Sequence, residues 1–201
     1  MKNLLLIFLF LPLAFHANAQ HFKAGLTVGL AATQVDGDSH GGYNKVGPIA
    51  GFWVQRNMSS SWFGRLEFRY IQKGSYAKSE NDGGSTFYRI RLNYFELPVF
   101  AGYKFINGIT VLGGVSVGYL AQAQEMDESG SFPSEDISYF RKYEVAGIAG
   151  FEYNYSERWA FGTFFSYSIF PIRPYNDNIS YRLNYGQYNR VIEFVAKFKL
   201  Q

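Results

Sequence analysis

Cysteine is absent from this 201-residue chain, which excludes a disulfide framework, a thiol nucleophile and a lipid-modified cysteine anchor. Long apolar runs are nearly absent too. The single example, Leu4 to Phe15, is interrupted by Pro12 and falls short of the roughly 20 apolar residues that a membrane helix requires. Histidine is scarce: beyond His16 only His21 and His40 occur. Serine acyl chemistry usually needs a base such as histidine beside its nucleophile, and neither falls on a strand opposite one. No catalytic residue and no cofactor is therefore assigned, and the chain is read as non-enzymatic. Charge of one sign is also lacking. The net charge of +3 includes Lys2, and no clustered basic face of the kind that nucleic acid demands is present.

What is present begins with the first segment, MKNLLLIFLFLPLAFHANAQ. A lysine near the start, an apolar stretch and small residues at Ala17 and Ala19 have the order of a secretory signal peptide, with cleavage expected between Ala19 and Gln20. Residues 1–19 are thus expected to be removed, leaving a single domain over 20–201. Aromatic residues make up 19% of the chain, with 20 Phe and 16 Tyr. Transmembrane β-barrels need aromatic girdles at both membrane interfaces, while their alternating strands dilute the apolar signal.

Periods of two run through the whole chain. Residues 22–34 place Phe22, Ala24, Leu26, Val28 and Leu30 on one face and Lys23, Gly25, Thr27 and Gly29 on the other. Residues 46–56 return with Phe52 and Val54 on a shared face. The third strand, 61–73, sets Trp62, Leu66, Phe68 and Tyr70 against Phe63, Arg65, Glu67 and Arg69. The fourth, 88–105, changes phase: Tyr88, Ile90, Leu92 and Tyr94 form one apolar face, and Phe95, Leu97, Val99 and Ala101 then form the opposite one. A one-residue slip flips every later side chain, so a β-bulge between Tyr94 and Phe95 is expected. Strands follow at 109–121, at 141–155, from Trp159 to Ile169, and from Ile192 to Leu200.

In a water-soluble sandwich the charged faces would meet solvent; in a membrane barrel they line the lumen. Alternation alone does not separate the two, but the connections do. Strands two and three, four and five, and six and seven are joined by short turns, whereas the other connections are long and polar. Short periplasmic turns and long extracellular loops produce this rule. The expected fold is all-β: an eight-stranded antiparallel up-and-down transmembrane β-barrel in the cell outer membrane.

Residues 94–105, YFELPVFAGYKF, resemble a segment of the PorT-like outer-membrane β-barrel family of Bacteroidetes through Tyr94, Glu96, Pro98, Tyr103 and Phe105. The opening FKAGLTVGL and the Phe-rich last strand are consistent with this over nearly the whole mature chain. The resemblance implies an outer-membrane barrel, most of whose relatives have no assigned activity. The last strand also looks like a recognition strand for the outer-membrane assembly machinery, although it ends in Leu200 and Gln201 instead of an aromatic residue.

The expected inward-facing charges are Arg65, Glu67, Arg69, Arg91, Glu96, Lys104, Glu144, Glu152, Glu193, Lys197 and Lys199. They could line a polar path, but eight strands enclose a lumen just wide enough for side chains to fill, which favours paired charges that plug it. Asp36 with Asp38, Asp127 with Glu128, and Glu135 with Asp136 lack the spacing of a calcium loop and are read as solvated, so no metal is assigned. Lys73, Lys78, Arg89, Arg141, Lys142, Arg173 and Arg182 are expected at the extracellular rim, facing lipopolysaccharide phosphates. Trp62, Trp159, Tyr103, Tyr153 and Tyr155 are expected in the inner aromatic girdle. The expected setting is a monomer in outer-membrane lipid and lipopolysaccharide, with an envelope protein partner that these residues do not identify.

Overall fold

The computed structural model describes residues 22–38, 41–81, 84–127, 130–131, 140–174 and 186–200. Ala19, Gln20, His21, His40, Glu128, Glu135, Asp136 and Arg182 lie outside them. The strands are β1 (Phe22–Asp36), β2 (Lys45–Asn57), β3 (Trp62–Asn81), β4 (Gly84–Lys104), β5 (Ile109–Asp127), the two-residue β6 (Gly130–Ser131), β7 (Tyr143–Asn154), β8 (Trp159–Ser168) and β9 (Tyr188–Lys199). Each long strand pairs antiparallel with its neighbours in the chain, and β1 pairs β9 from Gly25↔Lys199 to Asp36↔Tyr188. That last pairing closes eight strands into an up-and-down ring with no free edge.

The short turns share a local device. Ser59 Oγ accepts the Trp62 N–H at 3.0 Å and Ser156 Oγ accepts the Trp159 N–H at 3.1 Å, so a serine closes the β2–β3 and β7–β8 turns in the same way. Between β4 and β5, Asn107 and Gly108 adopt positive φ (67° and 79°), a conformation that Gly and Asn tolerate best.

Around the middle of the barrel the usual arrangement of a soluble protein is inverted. Leu30 and Phe194 are 56% and 57% exposed, whereas Glu67 and Glu193 are 1% and 0% exposed. Leu26, Val28, Phe52, Leu66, Leu97, Val99, Val115, Val117 and Phe161 continue the exposed apolar band around the wall. An apolar surface of that extent on a closed barrel fits lipid as its solvent.

Toward the long-loop end the inversion reverses. Ile71, Ile90, Leu92, Tyr94, Leu120, Val35 and Val191 point inward and are at most 3% exposed, joined by Phe140 and Ile172 from the connections. Outside them stand Gln72, Arg91, Asn93 and Gln122. The barrel therefore rises out of the apolar band and continues with polar residues outside and an interior in which apolar side chains pack beside a few buried ion pairs. Its strands are correspondingly longer than alternation alone suggested: β3 and β4 extend to Asn81 and from Gly84, making a tall hairpin of what reads as loop.

This inversion corrects the expected bulge on the fourth strand. Pairing of β3 with β4 keeps one register from Trp62↔Tyr103 to Asn81↔Gly84, and Ile90, Leu92, Tyr94 and Glu96 all face inward. What changes at Tyr94/Phe95 is the surroundings of the wall, not the direction of the side chains. The irregularity at this height lies on β5 instead. Asn93 pairs Gln122 and Tyr94 pairs Leu120, leaving Ala121 over. The extra residue turns Glu125 inward, where strict alternation would have put it outside.

Candidate functional site

The lumen is filled in layers. Nearest the short turns, Arg65 donates to Glu152 Oε2 at 2.9 Å and to Gln55 Oε1 at 3.0 Å, while its guanidinium stacks over the Trp53 and Phe63 rings, 5.1 and 5.3 Å from their centroids. Lys197 lies 3.3 Å from the same Glu152 and also bonds Glu67. One layer up, Arg69 bridges two carboxylates: it donates to Glu96 Oε2 at 3.0 and 2.9 Å and to Glu193 at 2.7 and 2.8 Å. Lys73 connects the next step, 2.6 Å from Glu96 and 3.0 Å from Glu144. Ser168 Oγ and Asn189 Nδ2 complete Glu144 at 2.7 and 3.1 Å. At the top, Arg173 pairs Glu125 and stacks 3.8 Å over Phe140, with the Tyr88 hydroxyl donating to the same carboxylate.

Buried charges survive only where each is paired and hydrogen-bonded, and this ladder satisfies that demand. Alternating signs from five strands, with Arg173 from the connection after β8, are tied across the lumen, so the charged side chains act as struts. The apolar core above them adds a second closure.

Among the expected lumen residues, the structure brings together Arg65, Glu67, Arg69, Glu96, Glu144, Glu152, Glu193 and Lys197. Three stand elsewhere. Arg91 points outward, because Ile90 and Leu92 on either side of it are fully buried. Lys104 and Lys199 do face inward but line the mouth at the short-turn end, below the paired charges, where Lys104 donates to Asn57 Oδ1 at 3.0 Å. Conversely Lys73 and Arg173, expected at the rim, are each 1% exposed and inside. For Lys73 the signal was available, since the parity of Arg65, Glu67 and Arg69 extends to it. Arg173 carried no such signal; it follows β8 and folds back into the barrel by an isolated bridge to Gln187.

The motif at 94–105 acquires physical roles. The Tyr94 ring lies under the Lys73 ammonium at 5.2 Å, Glu96 joins Arg69 to Lys73, and Pro98 faces inward where the β3–β4 ladder is interrupted. Tyr103 packs between Trp62 (5.0 Å) and Phe105 (4.9 Å) beside the turns, with Trp159 against Phe198 (4.9 Å) further round the same end. Tyr153 and Tyr155 are exposed at this level. A second aromatic belt, Tyr70–Phe95, Tyr119–Tyr143 and Tyr167–Tyr188, marks the opposite interface.

Residues 18–173 match the family described as outer membrane protein beta-barrel domain. The chain belongs to this family. As an outer-membrane β-barrel it is similar in fold to the attachment invasion locus protein Ail of Yersinia pestis, solved with the heparin analogue sucrose octasulfate (TM-score 0.50, 12% identity, 90% of this chain and 99% of that one). It is likewise similar to neisserial surface protein A (TM-score 0.53, 9% identity, 89% and 97% covered). No curated protein matches the barrel.

A cavity of about 550 Å³ opens at the short-turn end, lined by Lys23, Trp53, Phe63, Lys104, Thr110 and Lys199 among others. It ends against Arg65, Glu152 and Lys197, so it is a blind vestibule below the first charged layer. Among the described residues no group of His, Asp or Glu is arranged to hold a metal ion. Asp36 instead accepts from Gln34 at 3.0 Å and lies 3.5 Å from Arg190.

Proposed function

We propose that this barrel is a closed, non-conducting outer-membrane protein, monomeric and without enzymatic activity, that works through its extracellular rim and loops as a structural, adhesion or envelope-complex accessory component. The observation that carries this is the lumen: ion pairs at 2.6–3.0 Å link Glu96, Lys73 and Glu144 on separate strands directly across it. A solute passing that level would have to break contacts that are buried and mutually satisfied, and above it Ile71, Ile90 and Leu92 pack the interior together with the buried Arg173–Glu125 pair. The PorT-like resemblance at Tyr94, Glu96 and Pro98 supports the same reading, since two of those side chains belong to the plug. Maturation by removal of residues 1–19 and insertion by the outer-membrane assembly machinery complete the proposal. Planar-bilayer recording with the purified full-length barrel is the test. A flat record is expected; discrete, reproducible conductance steps would overturn it in favour of the narrow conduit for small solutes.

A further inference from the structure

On the outer wall just above the Tyr70–Phe95 belt, hydrogen bonds run sideways from strand to strand. Lys45 Nζ donates to Gln72 Oε1 at 2.7 Å, Gln72 Nε2 to Asn93 Oδ1 at 3.0 Å, and Asn93 Nδ2 to Gln122 Oε1 at 3.0 Å. Tyr70 contributes its hydroxyl to Asn93 at 3.0 Å from below. Immediately above this band stand Arg91 and Arg89. The cross-strand partners of Arg91 are Gly74 and Gln124, and those of Arg89 are Tyr76 and Met126; all are neutral. Each arginine has its Nε enclosed by protein with no hydrogen-bond acceptor.

The third cation is crowded against them. The Lys45 ammonium meets only neutral oxygens, Gln72 Oε1 and the Val46 carbonyl at 2.9 Å. Burial first, then Arg89 and Arg91, pull its pKa down from 10.5 to about 8. Like charges held together in the wall, Arg89 and Arg91 half-buried and Lys45 enclosed behind them at 3% exposure, with no carboxylate among the described outward positions of β3 to β5 at this height, lack an anion to complete them. Elsewhere in the same barrel the described buried arginines Arg65, Arg69 and Arg173 each have a carboxylate partner.

We propose that this outer face of β3 to β5 binds a phosphorylated glycolipid of the outer leaflet. Arg89 and Arg91 take a phosphate by charge-assisted hydrogen bonds, Lys45 adds charge, and the Gln72–Asn93–Gln122 band faces the sugar. The height fits this assignment. Phe68 and Phe95, stacked at 6.0 Å directly below, offer an apolar wall for acyl chains, so headgroup and tail meet matching surfaces. The placement rests on this end of the barrel facing the cell exterior, as the long connections imply.

Full-length barrel in detergent micelles would be titrated with bis-phosphorylated lipid A, with the same lipid A stripped of phosphate, and with inorganic pyrophosphate, following retained ligand by native mass spectrometry. Wild type is expected to bind the phosphorylated lipid at least about tenfold better than the stripped one. Arg89→Gln/Arg91→Gln is expected to lose about tenfold, while Arg56→Gln/Arg158→Gln, which removes equal charge at the periplasmic end, leaves binding unchanged. Equal retention of both lipids, or an unaffected Arg89→Gln/Arg91→Gln barrel that circular dichroism shows to be folded, would overturn the proposal. Pyrophosphate binding as tightly as lipid A would also overturn it, in favour of a soluble phosphate ligand. None of these outcomes bears on conductance, so the closed-lumen reading stands or falls separately.

Discussion

Replacing Arg69 by Met tests the plug most directly. In the native barrel this guanidinium donates to Glu96 at 3.0 and 2.9 Å and to Glu193 at 2.7 and 2.8 Å. Its loss strands the two carboxylates unequally. Glu96 keeps Lys73 at 2.6 Å, whereas Glu193 is left with Ser166 Oγ at 3.5 Å and is fully enclosed. An uncompensated buried charge of this kind costs about 3–5 kcal/mol. Glu193→Gln alone should cost about 1–3 kcal/mol, because Arg69 retains Glu96 and the amide can still accept. The double variant has no stranded charge and should lose no more than the Glu193→Gln barrel, so the cycle should show a coupling of about 3 kcal/mol or more. Urea unfolding from phospholipid vesicles, followed by tryptophan fluorescence, measures all three. If the Arg69→Met barrel fell within about 0.5 kcal/mol of wild type, or the two changes simply added, the lumen would be hydrated and the plug reading wrong.

Other expectations address separate parts of the molecule. Leu30→Arg, in the exposed apolar band, should destabilise the vesicle-inserted barrel by about 2–4 kcal/mol, whereas Ala121→Arg, exposed above the band, should change it by at most about 1 kcal/mol; equal effects would misplace the membrane boundary. A methyl on Gly25 would lie 2.2 Å from the Phe198 carbonyl oxygen and 2.5 Å from the Trp53 indole, which is itself clamped by Arg65, so Gly25→Ala should cost about 1–3 kcal/mol and shift tryptophan emission. An unchanged spectrum would mean that the vestibule wall is loose. The intact mass of protein recovered from outer membranes should correspond to Gln20–Gln201; a mass including the first 19 residues would refute cleavage after Ala19.

Much of the barrel was legible because alternation and connection length are local properties. Leu66 and Phe68 against Arg65, Glu67 and Arg69 established both faces of β3, and the alternation of short turns with long polar connections established which end was short. The lumen charges followed wherever one parity held through the apolar band. Reading failed where the environment changed sign. At Tyr94/Phe95 an apolar-in pattern above the lipid abuts an apolar-out pattern within it, and sequence cannot distinguish that from a register slip. Arg91 was assigned inward for this reason. Glu125 was missed because the fifth strand was expected to end at 121, whereas β5 runs on to Asp127, with a bulge at Ala121 that turns Glu125 inward. Arg173 reached the interior through a tertiary fold-back that no periodicity encodes.

The tall β3–β4 hairpin also has a kinetic meaning. To reach the far side its tip must carry Arg89 and Arg91 through the hydrocarbon, where each arginine at the midplane costs about 2–4 kcal/mol. Once across, the same toll opposes retreat, and closure of β1 on β9 removes the open edge through which the hairpin could slip back. Arg89 and Arg91 on this hairpin would thus act as a latch against withdrawal, holding an inserted barrel in the orientation it first took.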